Sequence, residues 1–320
     1  VVITSENLLQ EFVEAARDDR HLGQSVQELT VRVRNPVSLG TLHQSLAVVP
    51  FITDLVLCLS PGTPADLLDD LRFPRLQLFK TNLPHNHLVR FVSAHRSLTD
   101  LCLDVCGHEA CPLHILDLRH IATIEGPVDC VPGVAQAGLL HLTAYSQRHS
   151  LDTSTILISL KTPLQSLVAL TLDVRANDYG ILQSIIHCAP MVEKLKLLER
   201  PPSIQRRQVH ARRAWNDAKS WSSCLGRLER LEDFALRTSS ALIRSPTVGN
   251  EQKKFVRWAT RVSRASSTTV GRHAHPTLTS LRIWYRICEP GGGILSYWSK
   301  SSGEWRNIAR RTDPTFDIPF

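Results

Sequence analysis

One short pattern, apolar-x-x-apolar-x-apolar, recurs along this chain and restricts its fold more than any other feature. It reads VQELTV from Val26, ITDLVL from Ile52, FPRLQL from Phe73 and LTDLCL from Leu98. It returns as LVALTL from Leu167, VEKLKL from Val192, LEDFAL from Leu231 and LTSLRI from Leu278, with weaker copies at 120–124 and 139–144. Taking the middle apolar residue as anchor gives Leu29, Leu55, Leu76, Leu101, Ile124, Leu142, Leu170, Leu195, Phe234 and Leu281, spaced 26, 21, 25, 23, 18, 28, 25, 39 and 47 residues apart. Self-similarity at such periods marks stacked repeats, and the last two spacings carry insertions.

Each copy has a simple physical reading. Alternation with period 2 makes the apolar-x-apolar core a short strand with one buried face. Helix-period stretches lie between the strands. The segment 87–96 places Leu88, Phe91 and Val92 on one face, and 178–189 does the same with Ile181, Leu182, Ile185 and Ile186 before Pro190 stops it. Segments 39–49 and 64–71 read as similar helices, the latter with Pro at its first turn. A strand–helix unit of this size cannot bury its apolar face alone, but stacked units can. The expected fold is therefore α/β: a curved parallel sheet with helices on the outer face, a leucine-rich-repeat-like solenoid with irregular repeats.

The most telling segments are SLTDLCLDVCG from Ser97 and PLQSLVALTLDV from Pro163, the latter followed by a helix and HCAPMVEKLKLL ending at Leu198. This style resembles the leucine-rich-repeat proteins, and more narrowly the irregular repeats of fungal F-box proteins, over roughly residues 20–290. The regular repeat has Asn or Cys three residues after the last Leu of the motif. Cys106 fits that place, whereas Ser60, Arg175 and Arg200 occupy it elsewhere. No Leu-Pro-led F-box module is visible, and only a helix over 6–17 precedes the first repeat. The resemblance implies the substrate-recognition part of a ubiquitin-ligase subunit, with a Skp-type adaptor bound only if an F-box is encoded upstream of Val1.

Charge divides the chain further. Residues 1–199 carry 15 basic and 21 acidic side chains (net −6), 200–272 carry 16 and 5 (net +11), and the last 48 carry 6 and 4 (net +2), which sum to the overall +7. The positive charge is thus local. It coincides with the lengthened spacing after Leu195, giving an expected organisation of an N-terminal helix and cap at 1–25, a repeat array at 26–200, a basic helical insertion at 201–275, and a last repeat with a capping hairpin at 276–320. Within the insertion, 203–226 reads as one helix carrying Trp215 and Trp221. A second helix over 250–264 opens on an Asn250 cap, with Phe255, Val256, Ala259 and Val262 as its apolar face. Arg206, Arg207, Arg212, Arg213, Lys253 and Lys254 form a basic patch that nucleic acid or another anionic surface could use. Aromatics at helical spacing instead favour two amphipathic helices packed on the array, so nucleic acid is not the expected partner. Segments 238–249 and 265–275 read as Ser/Thr/Gly-rich loops, and the tail as a hairpin about 300–303.

Motifs that carry chemistry are missing from the sequence. It holds no G-x-S-x-G, H-E-x-x-H, G-x-x-x-x-G-K-[ST] or G-x-G-x-x-G, so no catalytic residue, cofactor or enzyme activity is assigned. Cys102, Cys106, His108, Cys111 and His114 have donors that suit zinc. Their spacing matches no paired CxxC site, however, and strand alternation already explains Cys102, so no metal is expected. The pairs His85/His87 and His273/His275 read as solvated loop histidines. The Cys are scattered as in reduced intracellular chains, no apolar run is long enough to span a bilayer, and no signal peptide is visible at the start. The expected location is the cytoplasm or nucleus.

What remains is a surface. Side chains interleaved with the buried leucines should line the concave face, where solenoids bind protein partners. Arg32, Asp104, Asp173, Lys196, Arg282 and Trp284 are the candidate contact residues there, since charged groups and aromatics supply specificity and hot spots. Phe79 belongs to the same outward set on this register.

Overall fold

With one exception, at FPRLQL, the repeated pattern forms a short strand, because its last two apolar positions fall on one side of a pleated chain. The structure is a computed structural model that describes residues 1–60, 62, 64, 66–104, 106, 110–147, 151–160, 164–200, 213–239, 241–243, 246–262, 272–286 and 292–313. The chain divides into two compact units, Val1–His141 and Leu142–Phe320.

In the first unit the strands are β1 (Val2–Ile3), β2 (Glu28–Arg32), β3 (Asp54–Cys58), β4 (Leu78–Thr81), β5 (Asp100–Leu103) and β6 (Thr123–Pro127), with β7 (His141–Tyr145) beginning at its end. Its helices are α1 (Glu6–Asp18), α2 (Arg20–Ser25), α3 (Leu39–Ala47), α4 (Val89–Ala94) and α5 (Val131–Val134). Ser5 caps α1 by accepting a hydrogen bond from the Leu8 N–H, and Leu9, Val13 and Ala16 form its buried stripe. After α2 begins, the backbone needs Gly23, since a Cβ there would lie 2.3 Å from the Val48 carbonyl oxygen.

The strands pair in parallel, and the register stacks Leu29 on Leu55, Leu55 on Phe79, Phe79 on Leu101 and Leu101 on Ile124. A repeated backbone contact sets this register. The carbonyl just before each strand accepts from two successive N–H groups of the next unit: Gln27 from Thr53 and Asp54, Thr53 from Gln77 and Leu78, Gln77 from Thr99 and Asp100. This corrects the expected third copy. The anchor is Phe79, fully buried, rather than Leu76, and the strand begins three residues later than the Leu76 assignment required. Phe79 is therefore core, not an outward residue. Leu76 stays buried in the place that Ile52 and Leu98 hold in their own copies. FPRLQL hides the register because Leu76-x-x-Phe79-x-Thr81 also fits the template once Thr81 is admitted as the last inward residue. Thr81 is buried, with its hydroxyl accepting from the Leu83 N–H at 3.1 Å.

The segment 64–71 is not the expected helix. Its described residues form successive turns, Asp69 N to Asp66 O and Leu71 N to Leu68 O. Leu67, Leu68 and Leu71 are still buried, so apolar spacing secured burial without a helix.

The second unit holds α6 (Thr153–Ile158), β8 (Ala169–Val174), α7 (Ile181–Cys188), β9 (Lys194–Glu199), α8 (Ala218–Leu225), β10 (Asp233–Thr238), α9 (Val248–Trp258), β11 (Thr260–Val262), β12 (Arg272–Ala274), β13 (Ser280–Arg286), β14 (Gly293–Ser301) and β15 (Glu304–Asp313). Parallel pairing again aligns the anchors, Leu170 with Leu195, Leu195 with Phe234 and Phe234 with Leu281. The tail is the expected hairpin, longer than anticipated: β14 and β15 pair antiparallel and β14 also pairs antiparallel with β13. Its two-residue turn has Ser302 at φ 51° and Gly303 at φ 85°, the signs that a type I′ turn demands.

The insertion differs from expectation in its described part. Ala214–Asn216 is one 3₁₀ turn, and α8 starts only at Ala218, where Asp217 accepts from the N–H groups of Lys219 and Ser220. A favourable capping carboxylate thus interrupts what periodicity read as one helix. Helix α9 opens on Thr247, which accepts from Asn250 N, so Asn250 is not the cap. It ends at Trp258, and β11 then pairs antiparallel with β12, so 272–274 is strand rather than loop. Residues 201–212 and 263–271 lie outside the described residues.

An aromatic cluster accounts for the packing of α8 and α9. Trp221 meets Trp215 at 6.1 Å, Phe234 at 6.1 Å and Trp258 at 6.3 Å between ring centroids, and Phe255 meets Trp258 at 5.3 Å and Tyr285 at 6.2 Å. Edge-on rings at these separations add to their area burial. At its other end α9 is tied by a buried carboxylate. Glu251 accepts from the Tyr285 hydroxyl at 2.5 Å, the Ser296 hydroxyl at 2.5 Å and Arg310 Nε at 3.0 Å. A charge this deeply buried is tolerated because its oxygens are hydrogen-bonded and a cation faces it.

The fold is α/β, with a thirteen-stranded, mostly parallel sheet in the order β1 through β10, then β13, β14 and β15, and a separate two-stranded β11–β12 sheet. Apart from β10 and β13, between which β11 and β12 intervene, neighbouring strands of the sheet are consecutive in sequence, an order compatible with solenoid-like stacking.

Candidate functional site

The residues that alternate with the buried anchors share one face of the sheet within each unit. In the first unit that face carries Glu28, Asp54, Asp100, Glu125 and, just past β5, Asp104 against Arg32 and Lys80. Lys80 approaches Glu125 at 3.8 Å, both about half exposed, so this pair contributes little to stability. Burial and the nearby Glu125 push the Cys102 thiol on the same face up to about 11. Arg32 and Asp104 are exposed on it.

In the second unit the sign reverses. Register places Thr171, Lys196, Ala235, Arg282 and Tyr297 in one cross-strand row, and Asp173, Leu198, Arg237, Trp284, Leu295 and Arg311 in the next. Lys194 and Arg286 flank these rows. Lys196 and Arg282 are exposed and Trp284 is half-buried. Arg282 forms an ion pair with Asp233. Asp173 is half-buried, accepts from Ser146 N at 3.4 Å, and burial pushes its carboxyl above the usual range. Of the six candidate contact residues, Arg32 and Asp104 stand on the first unit's side of alternation and Asp173, Lys196, Arg282 and Trp284 on the second unit's.

The expected basic patch is placed differently. Arg206, Arg207 and Arg212 lie outside the described residues. The Arg213 side chain is nearly buried, with Nε 3.0 Å from Glu199 Oε1, and Glu199 also accepts from the Ser239 N–H at 2.7 Å and from the Thr238 hydroxyl. Lys254 donates to the Leu242 carbonyl at 2.7 Å, and burial lowers its pKa. Lys253 is exposed on α9. Two of these cations therefore serve the interior rather than an anionic ligand.

A third arrangement was not foreseen. The loops after β4, β5 and β6 bring His85, Cys106, Cys111 and Cys130 together, all buried, with one potential ligand atom of each within 4.8 Å of the others. His85 opens a 3₁₀ turn (His85–His87), Cys111 precedes another (Pro112–Ile115), and Cys130 closes a third (Val128–Cys130). His85 Nδ1 lies 3.2 Å from Cys111 Sγ and 3.7 Å from Cys130 Sγ. Hydrogen bonding from Cys130 and His85 holds the Cys111 thiol well below its ordinary pKa, while the contact with Cys111 and burial push Cys130 up. The arrangement can hold a proton between thiols or bind a soft cation.

Of the five residues weighed as a zinc set in the sequence, only Cys106 and Cys111 join this cluster. Cys102 lies on the open sheet face, His114 bonds the Cys111 carbonyl at 2.7 Å, and His108 lies outside the described residues. The missing partners, His85 and Cys130, are 26 and 19 residues from Cys111, too far for any local motif. Their visible signal was position: each falls three or four residues past the end of its strand, as Cys106 does.

Two of the histidines assigned to solvent are instead interior. His85 is fully buried, and His275 is buried with Nε2 3.0 Å from the Leu225 carbonyl while Nδ1 accepts from the Thr277 and Leu278 N–H groups. No helix among the described residues is long and apolar enough to cross a membrane. No protein-family model matches the chain, and a search of the curated proteins returns no match.

Proposed function

We propose that this chain is a non-enzymatic protein-interaction scaffold, a leucine-rich-repeat-like solenoid that binds an acidic segment of a partner protein on the open sheet face of its second unit. The observation that carries this reading is the in-register grouping of Lys194, Lys196, Arg237, Arg282 and Arg286 about the half-buried Trp284. Cations on a hydrogen-bonded sheet are held at fixed separations, so an acidic partner meets a preorganised field and an aromatic anchor. The resemblance of the repeats to fungal F-box proteins supports a narrower form, substrate recognition for a ubiquitin ligase in the cytoplasm or nucleus. Adaptor binding would then belong to a box encoded upstream of Val1.

The test is affinity capture from native extract with quantitative mass spectrometry. It compares wild type with a Lys196→Glu/Arg282→Glu double variant, Trp284→Ala, and Lys253→Glu on α9 as a control. Proteins lost with both face variants, retained with the control and released as salt rises support the reading. An unchanged set of captured proteins in both face variants refutes it, as does capture of nucleic acid alone. A Leu-Pro-led helical box in the upstream coding sequence supports the ligase form.

A further inference from the structure

We propose that His85, Cys106, Cys111 and Cys130 form a closed structural zinc site that clips together the loops following β4, β5 and β6. The donor set is three thiols and one imidazole, which suits Zn²⁺ in four-coordinate tetrahedral geometry with no position left for substrate. A Zn–S bond of about 2.3 Å implies a ligand tetrahedron with edges of about 3.7 Å. The observed separations of 3.2 and 3.7 Å from His85 Nδ1, and the 4.8 Å limit over the whole set, lie close to that figure.

Burial points the same way. All four residues are at most 8% exposed, and His85 is fully buried. Its Nε2 finds no hydrogen-bond partner, so the two thiols are the polar partners of its ring among the described residues. A cation on Nδ1 replaces that nitrogen's two weak thiol contacts with a metal–imidazole bond.

The location supplies a reason for the site. Between β2 and β3 the chain forms the nine-residue helix α3, whereas among the described residues the connections after β5 and β6 hold 3₁₀ turns and the four-residue α5 as their helical elements. Short turns bury little apolar area, and small elements of this kind are commonly stapled by a metal. Binding replaces the three S–H protons, which pass to solvent, and leaves a site of net charge −1.

The test begins with the wild-type chain purified under reducing conditions and dialysed against metal-free buffer. Its metal content is measured by mass spectrometry, and Co²⁺ is then exchanged in as a spectroscopic probe. The expected result is about one zinc per chain, with a thiolate-to-cobalt charge-transfer band and intense tetrahedral visible bands. Cys106→Ser should lose the zinc and the cobalt bands. Cys130→His keeps four ligands and should retain zinc with weaker charge transfer, while Cys58→Ser, on the open sheet face, should change nothing. A zinc-free wild type that shows no tetrahedral cobalt spectrum overturns the proposal. So does a spectrum that survives Cys106→Ser, bound iron in place of zinc, or a Cys111–Cys130 disulfide in the reduced preparation. The outcome is independent of partner capture on the second unit's sheet face.

Discussion

The register of β4 can be decided by one pair of substitutions, Phe79→Ala and Leu78→Ala. Phe79 is fully buried between Leu55 and Leu101, and its ring lies 4.8 Å from that of Phe91. Truncating a ring that buries about 150 Å² at about 25 cal/mol per Å² removes about 4 kcal/mol, within the 3–5 kcal/mol range seen for such core truncations. The loss includes the edge contact with Phe91, and Leu55 and Leu101 cannot collapse into the gap because parallel pairing fixes both. Leu78 is half-exposed between Asp54 and Asp100, and its truncation should cost about 1 kcal/mol or less. A unit of this size loses about 3 °C of Tm per kcal/mol. Phe79→Ala should therefore lower the transition by about 12 °C, and Leu78→Ala by about 3 °C or less. Differential scanning calorimetry reads both, and amide exchange on β3 to β5 localises the loss. The reverse order, with Leu78→Ala the more damaging, refutes the register and restores Leu76 as the anchor.

Two further outcomes follow from local chemistry. Because Thr247 rather than Asn250 caps α9, Thr247→Ala should cost about 1 kcal/mol in urea denaturation, and Asn250→Ala should cost a few tenths at most; equal costs would count against this cap. His95 is buried, with Nε2 accepting from the Phe73 N–H at 2.9 Å and Nδ1 2.6 Å from the Phe91 carbonyl, and burial lowers its pKa. As pH falls below about 6.5 the unfolded chain takes up a proton that the folded chain refuses, so stability is lost downward through that window and is level above it. His95→Gln should flatten the slope of unfolding midpoint against pH between about 5 and 6.5, and an unchanged slope would refute that role.

The strands were legible in the sequence because each needs only local alternation and a leucine column. Within the first unit Leu29, Leu55, Leu101 and Ile124, and within the second Leu170, Leu195, Phe234 and Leu281, fall in the columns where spacing alone placed them. The exception, Phe79, failed because two overlapping frames satisfy the same template and only pairing with β3 and β5 chooses between them. Helices were legible where apolar spacing ran for several turns, as in α1 and α7. They were misread at 64–71 and at the start of α8, where turn-forming residues and Asp217 altered the backbone without moving the apolar side chains out of the core. Net charge was legible as a number but not as a surface, since Arg213 and Lys254 spend theirs on Glu199 and a carbonyl.

Sequence by itself thus determined the repeating strand, its parallel order and the side of the sheet that faces water, because those depend on period and polarity along a few residues. Tertiary structure decided what no window of the chain contains: the cationic rows around Trp284, the Glu251 carboxylate held by three strands, and the meeting of His85 with Cys106, Cys111 and Cys130. Each of those depends on which residues of separate loops or strands fall at the same height in the stack, and that height is fixed only once the strands have paired.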